Sequence, residues 1–537
     1  MRPTDEQVPI IDAVARGQQS VKVEAGAGTG KTSTLVAAAQ ARKEANPQRS
    51  SGLIVVFNAL MAKETKPRLA GTGCVSRTMH SIAFQSDAAR PFRETERHRM
   101  MLPARMAAES VGIRGPVIIT PEVGPTTRNG IGYIMLDWVR RYCSSSDAAI
   151  GPQHFPRNTL REFLPNDLAK RAQTDPHWFN LVCQSYASEL GGNAKKLWKL
   201  MSDPEQSFPS MDDVYLKLYM LSEPRVDYDY VALDEAQDAN PLMLQYMHLA
   251  QKSGAQVVYV GDEHQQMYSW RGAVNAMRQI ETDLKLPLSK SFRFGPHVAE
   301  VANAILGQMI GTEFRIEGAG RPTRVVATMQ APTAVISRTN AQSIEGALEM
   351  LKADGKPGLC MGKSEVVGAI NSLESFKSIG RSDSRRFCRF QTYDELVEAV
   401  QNGDAPDLKV ILEVVDEHGF ASARQILETM AVGKSPEDIA RSGAQTIFLT
   451  GHASKGLQFS QVKLGDDFKG LEELAKKRAD LTEELNILYV SVTRAQDALC
   501  LGESPARTDI INAVRAGRGL APIEGEKKTE RPDAVAA

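Results

Sequence analysis

The stretch Ala25-Gly26-Ala27-Gly28-Thr29-Gly30-Lys31-Thr32 constrains this chain more than any other. It follows the short run Val21-Lys22-Val23-Glu24 and opens a helical pattern from Ser33 to Arg42. Strand, glycine-rich turn and helix in that order are the context of a phosphate-binding loop. The glycines let backbone N–H groups turn inward around a phosphate, and the helix N-terminus adds partial positive charge. Lys31 is placed to reach the β- and γ-phosphates, and the Thr32 hydroxyl to ligate Mg²⁺. Ala25 stands where such loops usually begin with Gly. The plainer reading is a glycine-rich turn before a helix; the flanking strand and helix favour the loop.

Such a loop works with an acid. Leu233-Asp234-Glu235-Ala236-Gln237-Asp238 supplies one directly after the apolar run Tyr230-Val231-Ala232-Leu233. An acid at a strand end can hold the metal, and the next acid can activate water. An isolated Asp-Glu pair reads as a solvated turn; paired with residues 25–32 it reads as the second half of a nucleotide site. Leu53-Ile54-Val55-Val56-Phe57 and Val257-Val258-Tyr259-Val260 are further interior strands of a parallel sheet. A second set lies at Ala334-Val335-Ile336-Ser337, Thr446-Ile447-Phe448-Leu449, Val462-Lys463-Leu464 and Ala498-Leu499-Cys500-Leu501. The chain of 537 residues is too long for one core. Two α/β domains in tandem are expected. The regions from about 90 to 225 and from about 345 to 440 are helical in pattern and read as insertions.

With a net charge of -1 the chain is no general polyanion wrapper, so any DNA contact must come from a local groove. The six cysteines form no CxxC pair and no finger spacing with His, which removes a zinc ribbon and leaves no disulfide framework. A reducing cytosol fits best. From the polar N-terminus and the lack of a long apolar run, no secretion signal and no membrane anchor are expected.

Further blocks appear in order along nearly the whole chain. They are Thr4-Asp5-Glu6-Gln7, Phe57-Asn58, Thr78-Met79-His80, the run from Gly261 to Ala273, Ser291-Phe292-Arg293, Thr450 to Leu457, and Leu488 to Ala495. With the loop and the Asp234–Asp238 box, this series resembles the UvrD/Rep branch of superfamily 1 helicases. Leu216 to Tyr219 and Ser291 to Pro296 are most similar to the F-box DNA helicase group. With the Gln motif at the N-terminus, no F-box is expected, and a bacterial or phage relative in a cytoplasmic setting is.

The resemblance implies two RecA-like P-loop domains. The first takes residues 1–90 and 226–285, with a helical insertion at 91–225. The second takes 286–344 and 441–518, with a short insertion at 345–440; 519–537 form a disordered tail. It also implies ATP with Mg²⁺ as cofactors, hydrolysed at the cleft between the domains. Gln7 would read the adenine and Phe292 stack on it. Residues Ala25 to Ser33 would hold the phosphates, with Thr32 and Asp234 on the metal and Glu235 as base. Gln265 would sense the γ-phosphate, and Arg293 and Arg494 would neutralise charge on it. Gln458 stands where the family usually has a ribose-contacting Glu. A neutral amide still hydrogen-bonds a hydroxyl, so activity is expected to survive.

Phe57, Asn58, His80, Tyr268, Trp270, Arg271, His452 and Lys455 would contact single-stranded DNA, the aromatics by stacking on any base. Core packing is the competing reading for Phe57 and Tyr268. Phe376, Lys377, Arg381, Arg385, Arg386, Phe387, Arg389 and Phe390 mix bases with aromatics, as a nucleic-acid patch does; a solvated basic loop is the plainer reading. No fused nuclease is expected after Arg494. The expected partner is single-stranded DNA with its duplex junctions, bound by a monomer. The expected activity is 3′-to-5′ unwinding. Protein stripping with little unwinding, or nucleotide-dependent binding without turnover, stand as alternatives.

Overall fold

The computed structural model describes residues 2–267, 276–360, 363–380, 384–387, 390, 392–402, 405–433, 439, 441–476 and 481–523. The chain forms two compact units. One holds residues 1–288 and 361–434, the other residues 289–360 and 435–537.

In the first unit, β1 (Val21–Ala25), β2 (Gly52–Val55), β3 (Cys74–Arg77), β4 (Tyr230–Asp234), β5 (Gln256–Gly261) and β6 (Leu284–Leu288) form a six-stranded sheet in the order β3-β2-β4-β5-β1-β6. Every pairing is parallel, with Val21 beside both Val258 and Leu284. Successive side chains of a strand point to opposite faces. Ile54 and Val56 accordingly join a core with Ile10, Val14, Leu35 and Ala38 from the helices Gln7–Arg16 and Lys31–Ala45. Leu53 and Val55 join the other core, continuous with the helical residues Ile134, Trp138, Leu190 and Leu197. Both faces are covered, which is why β2, β4 and β5 read as largely apolar runs.

The long helices Arg128–Ser144, Pro176–Ser202 and Asp212–Leu221 build the segment between β3 and β4. Its buried cations Arg97 and Lys217 are held by backbone carbonyls. Arg97, fully buried, donates to the carbonyls of Leu200, Met201, Asp203 and Phe208, closing the end of Pro176–Ser202.

In the second unit, β7 (Arg324–Val326), β8 (Ala334–Ser337), β9 (Pro357–Cys360), β10 (Thr446–Thr450), β11 (Phe459–Leu464) and β12 (Ala495–Cys500) run parallel in the order β7-β12-β11-β8-β10-β9. The stretch expected as an insertion at 345–440 divides at Cys360. Its first part completes the helix Asn340–Lys352 and adds β9 to this sheet. Residues 361–434, with the helices Lys363–Ile379, Tyr393–Gln401 and Pro406–Thr429, cluster with the first unit. Arg385 ties them there, donating to Asp137 and Glu162 at 2.7 Å each. The basic-aromatic patch is corrected in part: Phe376, Phe387 and Phe390 are at most 4% exposed and serve as core. Arg381, Arg389 and the tail from 524 lie outside the described residues. Cys74, Cys143, Cys183, Cys360 and Cys500 are free and buried. No helix among the described residues is long and apolar enough to cross a membrane.

Candidate nucleotide and strand site

All strands of a parallel sheet end at one edge, and ligands of such sheets bind there. In the first unit that edge carries the loop after β1, the acids after β4 and the turn after β5. Gly28 (φ 74) and Gly30 (φ 83) take the left-handed backbone that turns the loop's N–H groups inward. Thr29 braces it by donating to the Gly26 carbonyl at 3.0 Å, and Gly26 N–H donates to Leu288 at the end of β6. The Thr32 hydroxyl donates to Asp234 Oδ2 at 2.8 Å, and Lys31 Nζ lies 3.9 Å from Glu235 Oε1.

Asp234 is 1% exposed. Burial pushes its carboxyl well above the usual range, and the Glu235 charge beside it adds to the rise; Thr32 and Lys31 pull the other way. Burial and the Glu235 charge thus favour the protonated form, and a cation bound there would offset both by compensating the buried negative charge. Thr32 and Asp234 offer oxygen donors only, which suits Mg²⁺. Among the described residues no cluster of three or more His, Cys, Asp or Glu could cage a metal, so any metal would draw its other ligands from substrate and water.

Glu235 is one of only four non-glycine residues among those described with positive φ, at 54°. Left-handed backbone costs a residue with a Cβ about 1–2 kcal/mol. Gln237 Nε2 donates to Glu235 Oε2 at 2.6 Å, and Gln237 Oε1 accepts from Asp262 N–H at 3.0 Å. Asp262 in turn accepts from Gln265 Nε2 at 2.6 Å. A continuous chain thus runs from the acids after β4 to the turn after β5. The sequence analysis assigns Gln237 no role; its place two residues after the Asp234-Glu235 pair is the only local signal.

Gln7 is anchored at the start of its helix. Its Oε1 accepts from Thr4 N–H and its Nε2 donates to Thr34 in the helix that follows the loop, both at 3.0 Å. Ser33 is exposed and accepts from Arg68 at 2.9 Å.

A separate cavity of about 770 Å³ in the same unit is lined by Phe57, Asn58 and His80, with Arg140, Arg141 and Arg385. It gathers two motifs from the ends of β2 and β3. Asn58 and Thr78 are helix N-caps, accepting from Met61 and Ser81 N–H. Phe57 is half-buried, and His80 lies 3.2 Å from Asp213. Tyr268, Trp270 and Arg271 lie outside the described residues.

The remaining candidates belong to the second unit. Arg293 donates to the Thr493 carbonyl at 3.1 Å, which places it beside Arg494. Arg494 is 1% exposed and donates to the carbonyls of Val490 and Leu457. Phe292 is 41% exposed and Gln458 is exposed, both free to meet a planar or polar ligand, while His452 and Lys455 are half-buried.

Residues 10–271 match the AAA domain family, and residues 364–504 match the UvrD-like helicase C-terminal domain. The chain belongs to the UvrD-like superfamily 1 helicases. Its two parallel-sheet units are the RecA-like domains of that family. Over 93% of its length it is 27% identical to F-box DNA helicase 1 of Gallus gallus and 28% identical to F-box DNA helicase protein 1 of Schizosaccharomyces pombe. DNA helicase IV of Escherichia coli is 24% identical over 56% of the chain and 46% of its own length. The chain spans about half the length of its two F-box relatives, 49% and 57% respectively. Those two relatives are eukaryotic, so they do not support the bacterial or phage source that the motifs suggested.

Proposed function

We propose that this UvrD-like chain is an ATP-dependent, DNA-stimulated motor that moves along single-stranded DNA 3′-to-5′ and unwinds duplex at junctions. The observation that supports this most directly is the hydrogen-bonded chain Glu235–Gln237–Asp262–Gln265 beside the Lys31–Thr32 loop. It joins the group that would activate water to the turn that leads toward the strand motifs.

The loop N–H groups and Lys31 bind and orient the phosphates. Thr32 and Asp234 would hold Mg²⁺, which supplies charge neutralisation on the phosphoryl oxygens. Glu235, held by Gln237, takes the proton of the attacking water, and its strained backbone fixes the direction of approach. Arg293 and Arg494 keep the role that the resemblance gave them, stabilising phosphoryl charge. Phe57 and His80 grip bases without reading sequence.

The test measures ATP hydrolysis with and without single-stranded DNA, for the wild type and Lys31→Ala. Strong stimulation that Lys31→Ala abolishes is expected. A wild type that hydrolyses nothing with DNA and Mg²⁺ present overturns the reading. Unwinding of a duplex with a 3′ tail but not one with a 5′ tail then checks polarity.

A further inference from the structure

The 27-residue helix Pro176–Ser202 carries two adjacent glycines, Gly191 and Gly192, near its middle. Each costs roughly 1 kcal/mol relative to alanine in a helix interior. Packing does not demand them. A Cβ at Gly192 would meet nothing within 4 Å, and one at Gly191 only Trp138 at 3.9 Å, an ordinary contact. The glycines instead form the bare wall of a cavity of about 610 Å³ between this helix, the helix Arg128–Ser144 and the loop that joins them.

The polar character of this cavity is one-signed. Arg141, Arg157 and Lys195 line it, and no Asp or Glu does. Arg157 is held in place by its hydrogen bond to Asn180 and by the Phe179 ring 5.4 Å away. Arg141 and Lys195 have no hydrogen bond or ion pair among the described residues. In this protein surface cations are commonly paired; Arg90, Arg99, Arg105 and Arg128 all meet carboxylates. Arg141 also lines the cavity that holds Phe57 and His80, so the two cavities share a positive edge.

Three cations without a counter-charge, in a concavity with a side-chain-free wall, suit phosphate groups brought close to the backbone. We infer that this cavity is an accessory site for the phosphate backbone of a nucleic-acid strand, continuous through Arg141 with the candidate strand cavity. The inference rests on the helicase reading and extends the strand's path over the helical segment between β3 and β4.

The test compares binding of single-stranded DNA of about 8 and about 20 nucleotides, the shorter sized for one groove. Wild type, Lys195→Gln and Gly192→Leu are titrated by fluorescence anisotropy over a range of KCl. Lys195→Gln is expected to lose roughly threefold in affinity for the long strand at about 0.2 M salt, with a salt slope lower by about 0.7, the release expected of one phosphate contact on a single strand. Gly192→Leu leaves charge unchanged, fills the cavity and strengthens the helix. It is expected to weaken long-strand binding without lowering the thermal midpoint. Short-strand binding stays at the wild-type level in both. Equal binding of both lengths by all three proteins overturns the inference while leaving the helicase reading intact. Thermal stabilisation by inorganic phosphate that Lys195→Gln removes, with no length effect, assigns the cavity to a free phosphate and also overturns it. A wild type that binds neither strand overturns the helicase reading itself.

Discussion

Replacing Gln237 with leucine should separate holding the nucleotide from turning it over. Gln237 is fully buried and lies outside the phosphate loop, so it acts on Glu235 rather than on any ligand. Its amide nitrogen holds Glu235 Oε2 at 2.6 Å and its oxygen holds Asp262 N–H at 3.0 Å. The space around it is filled: a Cβ on Gly261 would come within 2.6 Å of Gln237 Oε1. Leucine nearly matches the volume and removes both bonds. A hydrogen bond to a charged group contributes about 1.5–3 kcal/mol. If that energy aims the Glu235 carboxylate, losing it lowers the aimed population, and with it kcat, roughly 10- to 150-fold. KM for ATP should hold, because Lys31 and the loop are untouched. The buried Asp262 N–H left without a partner costs about 1–3 kcal/mol of stability. Steady-state ATP hydrolysis with saturating single-stranded DNA, beside urea unfolding, reads both quantities. A kcat within about twofold of wild type would show that Gln237 does not position the base. A rise in KM with kcat unchanged would place Gln237 in nucleotide binding instead.

Two further predictions concern the framework around the sites. Lys217 is 1% exposed, and burial brings its ammonium down to about 8, with Ser145 and Asp147 carbonyls each accepting from it at 2.7 Å. A lysine lowered in the folded state binds fewer protons there than in the unfolded chain, so stability rises with pH from about 8 to the ordinary value near 10.4. Unfolding midpoints of wild type and Lys217→Met should converge or cross over that window, and parallel pH profiles would refute the assignment. Arg42 has no carboxylate partner among the described residues and donates to the Val14 and Arg49 carbonyls and to Gln256 Oε1. Arg42→Met strands those acceptors beneath the helix that carries the phosphate loop. It should cost about 1–3 kcal/mol for each acceptor left unpaired, read as a lower urea midpoint, whereas an unchanged midpoint would mean that water replaces the guanidinium freely.

The candidate nucleotide site was legible where chemistry and local order coincide. The loop at 25–32 announces strand, turn and helix within a single stretch, and Thr32 and Asp234 then meet at 2.8 Å. What stayed hidden depends on pairing between distant segments. β6 contains Pro287, which removes a ladder donor and masks the strand; it is tolerated because β6 is an edge. β9 is Pro-Gly-Leu-Cys, which reads as a turn, yet all four residues are buried. The placement of 361–434 with the first unit rests on Arg385 meeting Asp137 and Glu162 across more than 220 residues, and no local pattern encodes that. Phe376, Phe387 and Phe390 look like a binding patch because arginines separate them, whereas folding turns their rings inward.

Gln237 shows why a site residue can be invisible while its motif is plain. Beside two acids it is one more polar letter. Its meaning comes from the sheet order, which sets β5 next to β4 in parallel register, with Asp234 beside Val260. Both strands therefore end at one edge, and Asp262 N–H arrives where the Gln237 amide can bridge it to Glu235. A glutamate at 237 would repel Glu235 and could not offer the N–H it accepts; an asparagine would be one methylene short of spanning both partners. The topology thus selects the residue, and Gln265, hydrogen-bonded to Asp262, inherits its position from the same joint. Any shift of the turn after β5 must then be felt at Glu235, because two short hydrogen bonds and a fully buried side chain leave no slack between them.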